Sequence, residues 1–262
     1  MTMRVFDIHV HLYPDALAER AVKSIGDFYK DYTMQGKGTL SDWLTQMEKA
    51  GIEGFAAHAV ALNPHNAERI NDFILECAKD SRLVPFAAIH PACEKPEDFV
   101  SRLIDRGFRG VKIHPDIQRF RLDDPDVMPM MKAIAGRLPL LIHCGDDRYD
   151  YDGPERVLSL HEKLPELQMI CAHLGGWMEW ERAAAILPGH GLLLDCSSAL
   201  FNKTPEEAAE VLRVFGCENV LYGTDYPMWS PSEELKRFMR IPLETQEREN
   251  ILWNNAARLL DL

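Results

Sequence analysis

Residues 109–143 read RGVKIHPDIQRFRLDDPDVMPMMKAIAGRLPLLIH. The stretch opens on a short apolar run that ends at His114 and closes on a second run that ends at His143. Between the runs, 125–137 carries helical spacing of apolar side chains. Strand, helix and strand in that order make a βα unit, and near-continuous apolar strands suit a parallel sheet covered on both faces. Working outward, the alternation recurs. Strands are expected over 4–10, 53–61, 83–89, 109–114, 138–143, 167–173, 191–196 and 218–224. Helices are expected over 41–50, 66–79, 96–106, 125–137, 154–164, 177–187, 204–215 and 243–260. Ser41 is read as the N-cap of the first of these, with Gly51 beyond its end. Thr204-Pro205-Glu206-Glu207 combines a cap, a first-turn proline and acids at the positive end of the helix dipole. Segment 26–40 fits neither class and is read as a lid or an extension. Eight βα units predict a (β/α)8 TIM barrel in one domain over 1–262. A doubly wound open sheet is disfavoured because no glycine-rich phosphate loop follows the first strand.

Composition limits the function. The chain has 262 residues, 46% hydrophobic and 27% charged, which suits a folded globular protein. A net charge of −12 opposes non-specific nucleic-acid binding. No apolar run reaches the roughly 20 residues of a spanning helix, so no membrane partner is expected. The N-terminus shows no basic segment followed by an apolar one, and six cysteines lie scattered without a CxxC pair. Both point to reduced thiols in the cytoplasm.

Chemistry is signalled by what ends the strands. His9 and His11 close the first, His114 the fourth, His143 the fifth and His173 the sixth, while Asp225 follows the eighth. In a barrel these ends converge on one mouth. Residues two apart on a strand face the same side, so His9 and His11 can grip one cation of the kind imidazole favours. A single such histidine is an ordinary core residue. Several ionisable side chains closing apolar strands are costly to bury without partners, and a cation supplies one. His58 and His90 are read as satisfied structural histidines, and His190 lies at the opposite face.

The pattern resembles the amidohydrolase superfamily, more narrowly the amidohydrolase-related group that includes metal-dependent decarboxylases and hydratases. The matching pieces are Asp7-Ile8-His9-Val10-His11, Gly110-Val111-Lys112-Ile113-His114-Pro115, Leu140-Leu141-Ile142-His143, Ala172-His173-Leu174-Gly175-Gly176, Tyr222-Gly223-Thr224-Asp225-Tyr226-Pro227 and the ending Asn255-Ala256-Ala257-Arg258-Leu259-Leu260. The resemblance implies one divalent ion, Zn2+ or alternatively Mn2+, held by His9, His11, His143 and Asp225. It implies His173 as the residue that helps activate a water, with Asp225 assisting. In binuclear relatives the sixth-strand histidine and a fourth-strand lysine or glutamate hold a second ion, which leaves a second ion open here. Lys112 is then a bridging residue, a carboxylate anchor or a structural lysine, the latter two being favoured, and His114 lines the pocket.

Such a site makes water acidic near neutral pH and polarises a carbonyl. The expected activity is hydrolysis of a small carboxylated amide, lactone or ester, with decarboxylation or hydration as the alternative. Arg119 and Arg121 are candidates for binding a substrate carboxylate, against ion pairs with Asp123, Asp124 or Asp126. Trp177 and Tyr226 are candidates for an aromatic wall. Aromatic loops after Tyr226 suit a homodimer by family analogy. A metal-dependent nuclease conflicts with the acidic balance, and a non-catalytic binding protein conflicts with every ligand position being filled.

Overall fold

The computed structural model describes residues 3–30 and 32–262. Met1, Thr2 and Asp31, which fall within the N-terminal and 26–40 readings, lie outside the described residues. Eight parallel strands form one sheet in the order of the chain. They are β1 (Phe6–His11), β2 (Gly54–His58), β3 (Leu83–Ala88), β4 (Gly110–Ile113), β5 (Leu140–Ile142), β6 (Met169–Cys171), β7 (Leu193–Asp195) and β8 (Val220–Leu221). The barrel closes between the first and last strands. Ile8 N–H donates to the Tyr222 carbonyl at 2.9 Å, His11 N–H to the Tyr226 carbonyl at 2.8 Å, and Val10 bridges Tyr226 in parallel. The chain is thus a (β/α)8 TIM barrel, and each expected strand is present, trimmed at its ends.

The helices largely follow the expected positions. Thr204 caps Pro205–Phe215, exchanging hydrogen bonds with Glu207 in a capping box. Several departures stand out, among them a helix over Pro231–Met239 that the sequence reading did not assign. A 15-residue helix, α1 (Asp15–Tyr29), fills a stretch the sequence left largely unassigned. Only Ala18 and Tyr29 of it are buried, so it has little apolar stripe to announce it. The next helix, α2 (Leu40–Ala50), is capped by Thr39, whose hydroxyl accepts from Asp42 N–H, and not by Ser41. Its end is the expected Gly51, at φ 78° in the left-handed region that glycine tolerates. The terminal segment begins later than expected, at Thr245, and runs through a π-helical turn (Asn250–Asn254) to Leu260.

Inside the barrel, an apolar floor of Phe6, Phe86, Leu141, Ile170 and Leu221 is closed from below by Ala256 and Leu260. Above this floor the character changes to polar. Strand β1 makes the change possible by an irregularity. Its register against β2 slips by one residue between Asp7 and Val10. A regular pleat would put Phe6 and His9 on opposite faces. With the slip, Phe6 joins the floor while His9 and His11 face the mouth.

Candidate metal centre

Three atoms converge from β1 and the segment after β8. His9 Nε2 lies 3.2 Å from His11 Nε2, and Asp225 Oδ1 lies 3.5 and 3.3 Å from them respectively. Ligands about 2.0–2.1 Å from a tetrahedral cation stand about 3.4 Å apart, so the spacing suits a shared ion. His9 and Asp225 are held from behind. Asp225 N–H donates to the His9 carbonyl at 2.9 Å, and its Oδ2 accepts from Ser198 Oγ at 2.7 Å. His9 Nδ1 donates to Asp195 Oδ2 at 2.7 Å, which leaves Nε2 as the bare nitrogen. Gly223 gives His9 its room, since a Cβ there would stand 3.0 Å from the His9 Cβ.

The electrostatics follow from burial without water. Burial pushes His9 down to about 4 and lowers His11, keeping both rings neutral. Burial alone would raise Asp225 and Asp195. The adjacent histidines outweigh it, so Asp225 sits well below the usual carboxylate range and Asp195 at about 2. Lys112, wholly buried, places Nζ 3.3 Å from His9 Nε2, and burial pushes it down to about 8.

Beyond Lys112 lies a second group. His173 Nδ1 donates to the Ser197 carbonyl at 2.9 Å, so its Nε2 is free to accept and meets His143 Nδ1 at 3.0 Å. The His143 ring stacks on His114 with centroids 3.8 Å apart and planes at 11°. Asp116 Oδ2 stands 3.4 Å from His143 Nε2, and burial, with Asp146 adding to it, pushes Asp116 up to about 7. Tyr29 at the end of α1 covers this side, its hydroxyl 3.1 Å from His114 Nε2. Trp177 packs edge-on against Tyr29 at 4.9 Å, so the aromatic wall exists, and α1 supplies its inner layer. The lid expected of 26–40 is in part the last turn of this helix.

Other expected positions differ. Tyr226 does not face the mouth: its hydroxyl donates to Asp42 Oδ2 at 2.6 Å and its ring packs on Trp43. It follows Asp225 directly, and Asp225 sits at φ 58° in the left-handed region, so the chain turns between the two side chains. Tyr226 and Met228 are buried, while Trp229 after them is partly exposed. Arg119 and Arg121 are exposed, and Arg121 pairs with Asp150 at 3.3 Å, outside the histidine cluster. Of the partners expected for these arginines, Asp123, Asp124 or Asp126, the first is taken by Arg156 at 2.5 Å. His58 is not a satisfied histidine, since neither ring nitrogen has a partner although the side chain is fully buried. Asp195 was missed. Its signal was an acid closing the apolar run Leu192-Leu193-Leu194, the same signature as the histidines.

A cation fits these residues. Among the described residues, His11 Nδ1, both nitrogens of His58, His114 Nδ1, His143 Nε2 and the Asp116 carboxylate are buried without a hydrogen-bond partner. Leaving such groups unpaired costs on the order of 1–3 kcal/mol each, and a bound ion relieves part of that cost.

The amidohydrolase family model matches residues 6–262. Comparison with curated proteins returned no match. Among solved structures, the chain is similar to 2,6-dihydroxybenzoate decarboxylase from Rhizobium (19% identity, 99% of each chain, TM-score 0.70). It is similar to 5-carboxyvanillate decarboxylase from Novosphingobium aromaticivorans, complexed with manganese and a nitrobenzoic acid (16% identity, 99% and 96% of the two chains, TM-score 0.73). It is also similar to a probable 2-pyrone-4,6-dicarboxylic acid hydrolase from Acinetobacter baumannii (15% identity, 99% and 100%, TM-score 0.72). At these identities the likeness is one of fold.

Proposed function

Since the chain belongs to the amidohydrolase family, we propose that it is a metal-dependent hydrolase of a small carboxylated amide, lactone or ester. The observation that carries this reading is the convergence of His9 Nε2, His11 Nε2 and Asp225 Oδ1 at 3.2–3.5 Å on a face with buried, unpartnered donors. His9, His11, His143 and Asp225 hold one divalent ion, Zn2+ or Mn2+. When bound, it supplies a Lewis-acid charge that polarises a carbonyl and makes water acidic near neutral pH. His173 takes a proton at Nε2, the acceptor nitrogen set by its Nδ1 bond to the Ser197 carbonyl and shared with His143 Nδ1 at 3.0 Å. Ser198 orients Asp225 through Oδ2, so its other oxygen faces the donors. Among the described residues, Lys112 is the one buried cation beside the cluster and is suited to a substrate carboxylate, with His114 lining the same side. Tyr29 and Trp177 exclude water from above. Six unpaired cysteines, five of them buried, support a reducing compartment, the cytoplasm. Among the described residues, no helix is long and apolar enough to cross a membrane.

The second reading is non-oxidative decarboxylation, favoured by the hydroxybenzoate decarboxylases among the structural neighbours. One assay separates the two. Zinc- and manganese-loaded protein and Asp225→Asn are incubated with lactones, amides and carboxylated phenols while acid and carbon dioxide are both followed. Acid release lost in Asp225→Asn supports hydrolysis. Carbon dioxide lost in the variant transfers the assignment to decarboxylation. Turnover that survives Asp225→Asn unchanged overturns both.

A further inference from the structure

We propose that His58 is a ligand of the same cation, joining His9, His11 and Asp225 from the end of β2. The inference rests on the metal-dependent reading above and adds a ligand that the family pattern did not supply.

The register places the residue. His11 and His58 are direct partners across β1 and β2, so their side chains stand next to each other over the barrel floor. Leu12 N–H donates to the His58 carbonyl at 3.0 Å, which fixes the backbone from which the ring projects. A ring nitrogen of His58 lies within 4.8 Å of nitrogens of both His9 and His11. That limit exceeds the roughly 3.4 Å edge of a tetrahedron at zinc distances, so the ring closes in on loading or enters an expanded sphere.

Two observations separate His58 from a packing histidine. Its exposure is 0%, yet neither Nδ1 nor Nε2 finds a hydrogen bond. A histidine kept only for packing would leave two polar atoms unpaid by any partner, a cost that an apolar side chain avoids. The planes also cross. The His58 ring meets His11 at 85° with centroids 4.4 Å apart, and His9 at 64° with centroids 5.1 Å apart. A lone pair of imidazole lies in the ring plane, so steeply crossed planes can point at one ion. His114 and His143 show the opposite case. With Asp116 they form another compact group of ligand-type atoms, but their planes are nearly parallel at 11°. Lone pairs in parallel planes run side by side and do not meet, so that group is not assigned an ion of its own, and only His143 of it is offered to the shared ion.

The test is cation affinity, read by competition with a chromophoric chelator for zinc and manganese. Wild type, His58→Ala, the ring-retaining His58→Phe and Asp225→Asn are compared, and the thermal midpoint of each metal-free protein is recorded. The expected result is a loss of at least about tenfold in affinity in both His58 variants, the scale seen when only a supporting group is removed. The metal-free midpoint of His58→Phe should not fall, because the orphaned nitrogens are gone. If His58→Ala is too unstable to load, His58→Phe decides. Either His58 variant binding within about twofold of wild type, while Asp225→Asn loses the ion, overturns this inference and leaves the metal centre standing. A wild type that binds no ion, or an Asp225→Asn protein that binds as wild type, overturns the metal-dependent reading and this inference with it.

Discussion

His9, His11 and His58 on one side of the mouth and His114 and His143 on the other are the same chemical group, buried on the same face of the barrel. Their arrangement differs. The first three cross at 44° to 85°, with the Asp225 carboxylate beside His9 and His11, while the last two lie flat on each other at 11° beside Asp116. The charges differ in step. Asp225, ringed by imidazoles, is held well below the usual carboxylate range, and Asp116, beside Asp146, is pushed up to about 7. A count of histidines therefore does not define a cation site. Converging lone pairs and an ionised carboxylate do, and the first side has both. The second side lends His143 alone to that ion and otherwise suits substrate contact under Tyr29.

The comparison can be broken most directly at the carboxylates. Asp225→Asn should weaken zinc binding by on the order of 1000-fold, since a neutral amide replaces the anionic ligand, whereas Asp116→Asn should leave it within about tenfold. Equal losses in a chelator competition would erase the distinction between the two sides.

Acid is the next test. In the metal-free protein, His9 titrates at about 4 in the fold against an ordinary 6.5. Between these values the unfolded chain binds a proton that the folded one does not, so stability rises with pH. This contribution is fully present above about 6.5 and is lost as pH falls through about 4. For His9 it amounts to about 3 kcal/mol. His11, His58, His114 and His143 shift in the same direction. His90 is lowered as well, while Asp7, Asp116, Asp152, Glu179 and Glu234 are raised and act oppositely, six histidines against five acids. The urea midpoint should therefore be lower at pH 5 than at pH 7, and a rise on acidification would contradict the neutral-histidine picture.

Asp195→Asn should cost about 10–100-fold in cation affinity, because His9 exchanges an anionic acceptor for a neutral amide. An unchanged affinity would reduce Asp195 to a structural group. Tyr226→Phe should lower stability by about 1 kcal/mol through the lost bond to Asp42 and leave cation affinity unchanged. A change in affinity would return Tyr226 to the site. Smallest of all, Arg121→Ala should shift stability by under about 0.5 kcal/mol and leave turnover alone, as an exposed pair with Asp150 implies. A clear loss of turnover would show that this arm reaches the mouth.

The strand ends were legible because their signal is local. An ionisable residue that terminates an apolar run stands out in the chain itself, and Asp195 would have been found by the same rule applied to β7. Helix α1 was hidden because it buries little, and Tyr29 with it. Arg119 and Arg121 were drawn toward the mouth by proximity in sequence, yet both face solvent once the chain turns beyond His114.

By itself the sequence determined the eight-fold βα alternation, the ligand-type residues that meet at one face, and His9 and His11 on the same side of their strand. Each of these is set by spacing along the backbone. Only the tertiary structure decided which imidazoles cross and which stack, that Tyr226 turns away, that Tyr29 closes the top, and that His58 is left without a partner. Those outcomes depend on angles between side chains from different strands, which closure of the barrel and the slip in β1 fix and which no local pattern carries.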